Sequence, residues 1–87
     1  MASKKQIEDS WSEAKPIRGK SPDAWRRDPY GNVIRKGSYG TQGEYGWELD
    51  HTKPKSRGGS NADRNIQPVH WEEDLSKSNR YPYKKKR

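Results

Sequence analysis

The chain has 87 residues, of which 25% are hydrophobic and 36% are charged, so it is long enough for one domain with a small core and too short for two. It contains no cysteine. This excludes disulfide bonds and thiolate zinc sites, and leaves oxygen or imidazole groups as metal ligands. The net charge of +7 favours an acidic partner such as DNA or RNA, although a basic composition also fits ribosomal and membrane-surface proteins.

The first 22 residues are polar and carry one weak helical pattern, between Gln6 and Ala14. We expect residues 1–22 to form a polar appendage, part of it helical. The domain itself is predicted to span residues 23–80, and residues 81–87 to be a basic, solvated tail.

Turn residues at positions 28–32 stand between two short extended stretches, which predicts a β-hairpin. Residues 45–50 alternate apolar and polar side chains, as a half-buried strand does. A basic, glycine-containing loop follows at 52–64, then a short edge strand at 66–69 and a helix at 71–78. The sequence thus predicts an α+β fold, a small single domain in which a strand, a basic loop, a strand and a helix follow a hairpin.

The small core is expected to depend on aromatic residues, because phenylalanine is absent and four tryptophans are present. Trp47 and Trp71 each flank an element that must be buried, so both are expected in the core. No segment has the apolar character of a signal peptide or of a membrane span. We therefore expect a cytoplasmic protein without membrane contact.

The predicted order of elements brings four polar residues within reach of one another. They are Asp50, His51, Asn65 and Asp74. The spacing of these residues, the loop at 58–61 (Gly-Gly-Ser-Asn) and the stretch at 65–68 (Asn-Ile-Gln-Pro) resemble the HNH, or ββα-metal, endonuclease family. The resemblance covers residues 47–77.

This resemblance implies a ββα-metal centre that hydrolyses DNA phosphodiester bonds with one divalent cation, leaving 5′-phosphate and 3′-hydroxyl ends. His51 would take the proton of the attacking water, because imidazole accepts protons near neutral pH. Asp50 and Asp74 would supply hard anionic oxygens for Mg²⁺, or for Mn²⁺. Asn65 would hydrogen-bond across the loop and hold His51 in place.

Two features depart from the family pattern. Asp74 stands where the family usually has Asn or His, which suits Mg²⁺ better than zinc. Many relatives carry two Cys-x-x-Cys zinc pairs, whereas His70 and Glu73 occupy the positions after the second strand here. His70 is either a replacement for a lost zinc cysteine, which is the favoured interpretation, or an additional metal ligand. We expect a zinc-free domain held by tryptophan packing.

Five basic residues surround the motif and are candidate contacts for DNA phosphates. They are Lys53, Lys55, Arg57, Arg64 and Lys77. One alternative interpretation is a catalytically inactive HNH-like module that binds nucleic acid, and another is a small assembly protein with an acidic partner. The sequence leaves open RNA as a substrate, a protein partner that supplies specificity, and the oligomeric state.

Overall fold

A computed structural model describes residues 3–53, 55, 58–60, 62 and 65–77. The predicted tail and two of the candidate phosphate contacts, Arg57 and Arg64, lie outside the described residues. In the described part, two α-helices and two small antiparallel sheets form a compact α+β domain, as predicted. Neither of these helices has the length and apolarity that a membrane crossing requires.

Helix α1 (Lys4–Glu13) begins at a capping box, in which the side chain of Ser3 accepts a hydrogen bond from the Gln6 amide and the side chain of Gln6 accepts one from the Ser3 amide. Near the end of α1, Trp11 is only 3% exposed and lies in the hydrophobic core. The N-terminal segment is therefore packed into the domain. This differs from the appendage expected from its polar composition, because a single buried face is sufficient to dock a helix.

Three short antiparallel strands form the first sheet, in the order β1-β2-β3. They are β1 (Lys15–Pro16), β2 (Trp25–Arg27) and β3 (Val33–Arg35). The predicted hairpin joins β2 to β3. In its turn, Asp28 Oδ1 accepts hydrogen bonds from the amides of Tyr30 and Asn32, and Gly31 has a φ of 91°, which glycine adopts without steric cost.

The second sheet pairs β4 (Trp47–His51) with β5 (Ile66–His70), and helix α2 (Trp71–Lys77) follows β5 directly. These are the predicted strands and helix, with boundaries shifted by one or two residues. Pro68 is tolerated in β5 because the sheet has only two strands, so that one edge of β5 needs no ladder hydrogen bonds. The strand-strand-helix order places the end of β4 beside α2.

The core is built around Trp47, which is fully buried as predicted. Its ring lies 5.3 Å from that of Trp11, measured between centroids, and Ile34 and Tyr39 pack against the same cluster. Trp71 is only half-buried, at the edge of the domain, where its Nε1 donates to the Gly43 carbonyl at 2.7 Å. Its expected place in the core is thus not observed, because its indole reaches a loop carbonyl instead.

Candidate metal centre

The carboxyl groups of Asp50 and Asp74 meet where β4 ends beside α2. Asp50 is 9% exposed, and Asp74 lies in the first turn of α2 and is half-buried. Burial, the charge of Asp50 and a hydrogen bond between the two carboxyls raise the pKa of Asp74 to about 6. Two carboxylates held this closely repel each other, so the pair favours either a shared proton or a cation.

Lys77 places an ammonium group inside the domain beside this pair. Its side chain is 2% exposed, and Nζ lies 2.9 Å from Asp50 Oδ2 and donates to the His51 carbonyl at 3.0 Å. Residues three apart share a helix face, so α2 presents Asp74 and Lys77 to β4 together. Lys77 was expected to contact a DNA phosphate. Its burial makes it instead an internal partner of Asp50.

Gln67 and Tyr30 complete the surroundings of Asp50. Gln67 Nε2 donates to Asp50 Oδ2 at 3.2 Å and to the Tyr30 hydroxyl at 3.3 Å. Burial raises the pKa of Tyr30 further above its ordinary value of 10.0, so the phenol remains a neutral hydroxyl beside Gln67. The hairpin turn therefore reaches the second sheet through a tyrosine hydroxyl and a glutamine amide.

Sequence reasoning missed Tyr30, Gln67 and also Glu48, whose charge contributes to the raised pKa of Asp74. Two of them left a signal in the sequence. Glu48 stands two residues before Asp50 and so shares its face of the strand, and Gln67 lies in the stretch at 65–68 that carries the HNH resemblance. The β4–β5 register places Gln67 directly opposite Asp50. Tyr30 arrives from another sheet, and no local pattern indicates that.

His51 is the last residue of β4 and is half-buried. It follows Asp50 directly, and Lys77 bonds to the side chain of one and the carbonyl of the other. The same ammonium group therefore fixes the end of the strand at both residues. His51 thus follows the metal-ligand candidate Asp50 in the chain and stands at the start of the basic loop, and its role in proton transfer stays a prediction.

Asn65 clamps the basic loop. Its side chain accepts a hydrogen bond from the Lys53 amide at 2.8 Å, and donates to the carbonyls of Lys53 at 3.1 Å and Ser60 at 2.7 Å. Its own carbonyl accepts from the Thr52 amide at 2.7 Å. The predicted hydrogen bonding across the loop is present. It acts on the backbone just beyond His51, because the Asn65 side chain is satisfied by Lys53 and Ser60.

Two of the predicted phosphate contacts are placed on the loop surface. Lys53 and Lys55 are both exposed, so their ammonium groups are accessible to a polyanion. Their exposure is compatible with phosphate contacts, and it equally fits solvated surface charges.

His70 is not available as an additional metal ligand. It is 7% exposed, its Nδ1 accepts a hydrogen bond from the Glu72 amide at 3.1 Å, and its Nε2 lies 2.7 Å from the Glu44 carbonyl. An acceptor role at Nδ1 and a carbonyl at Nε2 together require the neutral tautomer with its proton on Nε2. Both ring nitrogens are therefore engaged, and His70 acts as the N-cap of α2.

The donor set suits a hard divalent cation. Within the described residues, no group of three or more histidine or acidic side chains is close enough to hold a metal, and the chain lacks cysteine, so a zinc site of four protein ligands is not supported. Mg²⁺ is ordinarily bound by one or two carboxylates, with water and phosphate oxygens as its other ligands. Asp50 and Asp74 meet that requirement.

Comparison of the chain with protein-family models, with curated proteins and with solved structures found no match. The functional assignment therefore depends on the geometry of the site and on the HNH resemblance of its residues.

Proposed function

We propose that the chain is a metal-dependent endonuclease of the HNH type, in which β4, β5 and α2 form a ββα-metal centre that hydrolyses DNA phosphodiester bonds. The observation that carries this proposal is the contact between the carboxyl of Asp74 and that of Asp50, the residue that directly precedes His51 in β4. A close carboxylate pair is costly without a cation, and a histidine next to such a pair is suited to activating water. The net charge of +7 supports a polyanionic substrate.

Each residue then has one task. His51 accepts a proton from a water molecule, whose oxygen bonds to phosphorus as the bond from phosphorus to the 3′ oxygen breaks. The leaving oxygen takes a proton from solvent and becomes the 3′-hydroxyl, and the phosphate stays on the 5′ end. Asp50 and Asp74 would hold the cation, which when bound supplies positive charge to the phosphate and the leaving oxygen. Lys77 and Gln67 fix the orientation of Asp50.

The decisive experiment is the conversion of supercoiled plasmid to nicked or linear DNA in the presence of Mg²⁺, Mn²⁺ or EDTA. We expect cutting that depends on the metal and that is lost in His51→Ala and in Asp74→Ala, which removes the side-chain oxygens at that position. The matched control is Glu72→Ala, which removes one acidic side chain from the exposed side of the same helix and should cut like the wild type. Absence of cutting by the folded wild type with every metal would overturn the proposal, as would equal losses in Asp74→Ala and Glu72→Ala.

A second candidate function is the catalytically inactive nucleic-acid-binding module. It is favoured by one observation, the ammonium of Lys77 on Asp50, which already balances the charge that a metal would otherwise neutralise. The two functions separate in the same assay once DNA binding is also measured. A nuclease loses cutting in His51→Ala while its DNA affinity is kept, whereas a pure binder shows the same affinity in both proteins and no cutting in either.

A further inference from the structure

The β1-β2-β3 sheet has one face that packs on the domain and one that faces solvent. On the inner face, Ile34 is fully buried. Arg26 also points inward, because it donates to the carbonyls of Pro22, Ser12 and Ala14. Since side chains alternate along a strand, the neighbours of Arg26 and Ile34 lie on the outer face.

The outer face is strongly basic. Trp25 and Arg27 share it as alternate residues of β2, with Arg35 directly opposite Trp25 and Lys15 directly opposite Arg27. Arg27, Arg35 and Lys15 are exposed. Together with Lys20, which lies over the Trp25 ring, they form what we call the outer basic face: Lys15, Lys20, Trp25, Arg27 and Arg35.

The cations of the outer basic face repel one another, and no side chain of this face neutralises them. Like charges directly opposite each other in an antiparallel pair are destabilising, and Lys15 faces Arg27. Among the residues that the structure describes, none of the four cations has a carboxylate within ion-pair distance. The outer basic face therefore lacks the anions that would stabilise it within the described part of the chain.

Trp25 holds two of the cations in place. Lys20 Nζ lies 5.2 Å and Arg35 Cζ 5.9 Å from the centroid of its ring, and Tyr45 packs edge-on against it at 4.9 Å. Cation–π contacts restrict long side chains that would otherwise be mobile. Ordered cations lose less entropy when they bind an anion, so the face is prepared for an anionic partner.

The outer basic face begins beside the candidate metal centre. Arg27 directly precedes the hairpin turn and donates to the Gly31 carbonyl within it at 2.8 Å. The same turn carries Tyr30, whose hydroxyl accepts a hydrogen bond from Gln67, the residue that also bonds to Asp50. The hairpin turn thus connects the outer basic face to the carboxyl pair through hydrogen bonds.

We infer that the outer basic face is a second DNA-binding surface, which contacts the phosphate backbone next to the scissile site. The inference rests on the proposed nuclease function, which makes DNA the polyanion at the metal centre. It adds a surface on a different sheet from the basic loop. Its contacts are to phosphates, so they would position the duplex without reading its sequence.

The test compares three double variants for binding to a short fluorescein-labelled DNA duplex in EDTA, where cutting cannot occur. Arg27→Gln/Arg35→Gln removes two charges from the outer basic face. Lys4→Gln/Lys5→Gln removes two charges from α1, the helix whose Trp11 contacts Arg26 on the inner side of the sheet. Arg27→Lys/Arg35→Lys keeps both charges of the outer basic face.

We expect Arg27→Gln/Arg35→Gln to bind the duplex about tenfold more weakly than the wild type. In a plot of log affinity against log salt concentration, the slope for this variant should be less steep by about two. The control on α1 and the charge-retaining variant should bind like the wild type. Equal affinities of the arginine-to-glutamine variant and the α1 control would overturn the inference. If circular dichroism shows that the glutamine variant is unfolded, Lys15→Gln/Lys20→Gln removes two charges from the same face and provides the same comparison.

The same proteins separate this inference from the proposed function. If the wild type binds the duplex with the expected dependence on the two arginines but never cuts plasmid with a metal, the nuclease proposal fails and the surface stands. If the wild type cuts and the arginine-to-glutamine variant binds normally, the surface fails and the nuclease stands. Binding to phosphatidylserine vesicles with the same dependence, and none to DNA, would overturn the DNA assignment.

Discussion

At the scale of single residues, the contact between Lys77 and Asp50 determines how the candidate site holds together. Both side chains are almost completely removed from water, and their charged atoms are 2.9 Å apart. Removing one partner of such a pair leaves the other charge buried without compensation, which is far more costly than removing both. The pair is therefore a requirement of the folded state as much as a feature of the site.

We predict that Lys77→Met lowers the free energy of unfolding by about 3–5 kcal/mol, measured by urea denaturation without metal. Lys4→Met, at an exposed position of α1, should change it by less than about 0.5 kcal/mol. The double variant Asp50→Asn/Lys77→Met should recover part of the loss. A double variant less stable than Lys77→Met alone would contradict the buried-pair interpretation.

The Asp74 carboxyl makes the stability of the metal-free protein depend on pH. Folding raises its pKa from 3.8 to about 6, so the folded protein holds this proton more tightly than the unfolded chain. The stability that this tighter proton binding contributes is fully present below the pKa of Asp74 in the unfolded chain. It is lost as the pH rises through the pKa of Asp74 in the folded protein. Asp74→Asn lacks this titration. Relative to the wild type, it should therefore gain in melting temperature as the pH rises from about 4 to about 7.

This prediction is tested by thermal melting of the two proteins across that pH range in EDTA. The difference between their melting temperatures isolates the Asp50–Asp74 pair, because the groups that do not contact this pair are common to both proteins. Glu72→Gln, on the exposed side of the same helix, serves as the control and should not reproduce the gain expected for Asp74→Asn. If the difference between Asp74→Asn and the wild type does not change with pH, folding does not raise the pKa of Asp74, which would contradict this prediction.

At the scale of elements, a network of polar side chains joins the hairpin turn to α2. Asp28 accepts hydrogen bonds from the His70 amide at 3.0 Å and from the side chain of Asn32, which also donates to Glu73 at 3.1 Å. By the HNH resemblance, His70 and Glu73 stand at the positions where many members of that family have a zinc-binding cysteine pair. Because Asp28, His70 and Glu73 are all buried, the network connects two elements without a metal, in addition to the tryptophan packing predicted from the sequence.

The start of β4 depends on a glycine for a different reason. Gly46 is buried, and a Cβ placed on it would overlap the backbone carbonyl of Thr41. We predict that Gly46→Ala destabilises the protein by about 1–3 kcal/mol or more, since the Thr41 backbone must move. Gly37→Ala is the matched control, because its Cβ would meet no atom within 4 Å. Urea denaturation of both variants tests this, and equal stabilities would count against the close approach.

At the scale of the whole molecule, a small core must hold a chain with 36% charged residues and a net charge of +7. The carboxyl pair adds local repulsion, so a cation that binds Asp50 and Asp74 should also stabilise the fold. We predict that Mg²⁺ at about a hundred times its dissociation constant adds about 2.7 kcal/mol, and so raises the melting temperature by several degrees for a domain of this size.

Differential scanning fluorimetry at neutral pH, with Mg²⁺ or EDTA, measures this effect. Asp74→Ala, which removes the side-chain oxygens, should lose most of the response to Mg²⁺, while Glu72→Ala should keep it. A wild type whose melting temperature does not change with Mg²⁺, at concentrations that support plasmid cutting, would contradict binding of the cation to the carboxyl pair of the free protein. Equal responses of all three proteins would place the metal elsewhere.

The sequence alone determined the strand-strand-helix order and the hairpin, because these follow from local periodicity and from turn residues such as those at 28–32. It also identified Asp50 and Asp74 as neighbours, through spacing along that order. The tertiary structure alone determined that Trp11 enters the core, that Lys77 turns inward to Asp50, and that Tyr30 reaches Gln67. Each of these depends on packing between elements distant in the chain, where burial and charge pairing override what local composition favours.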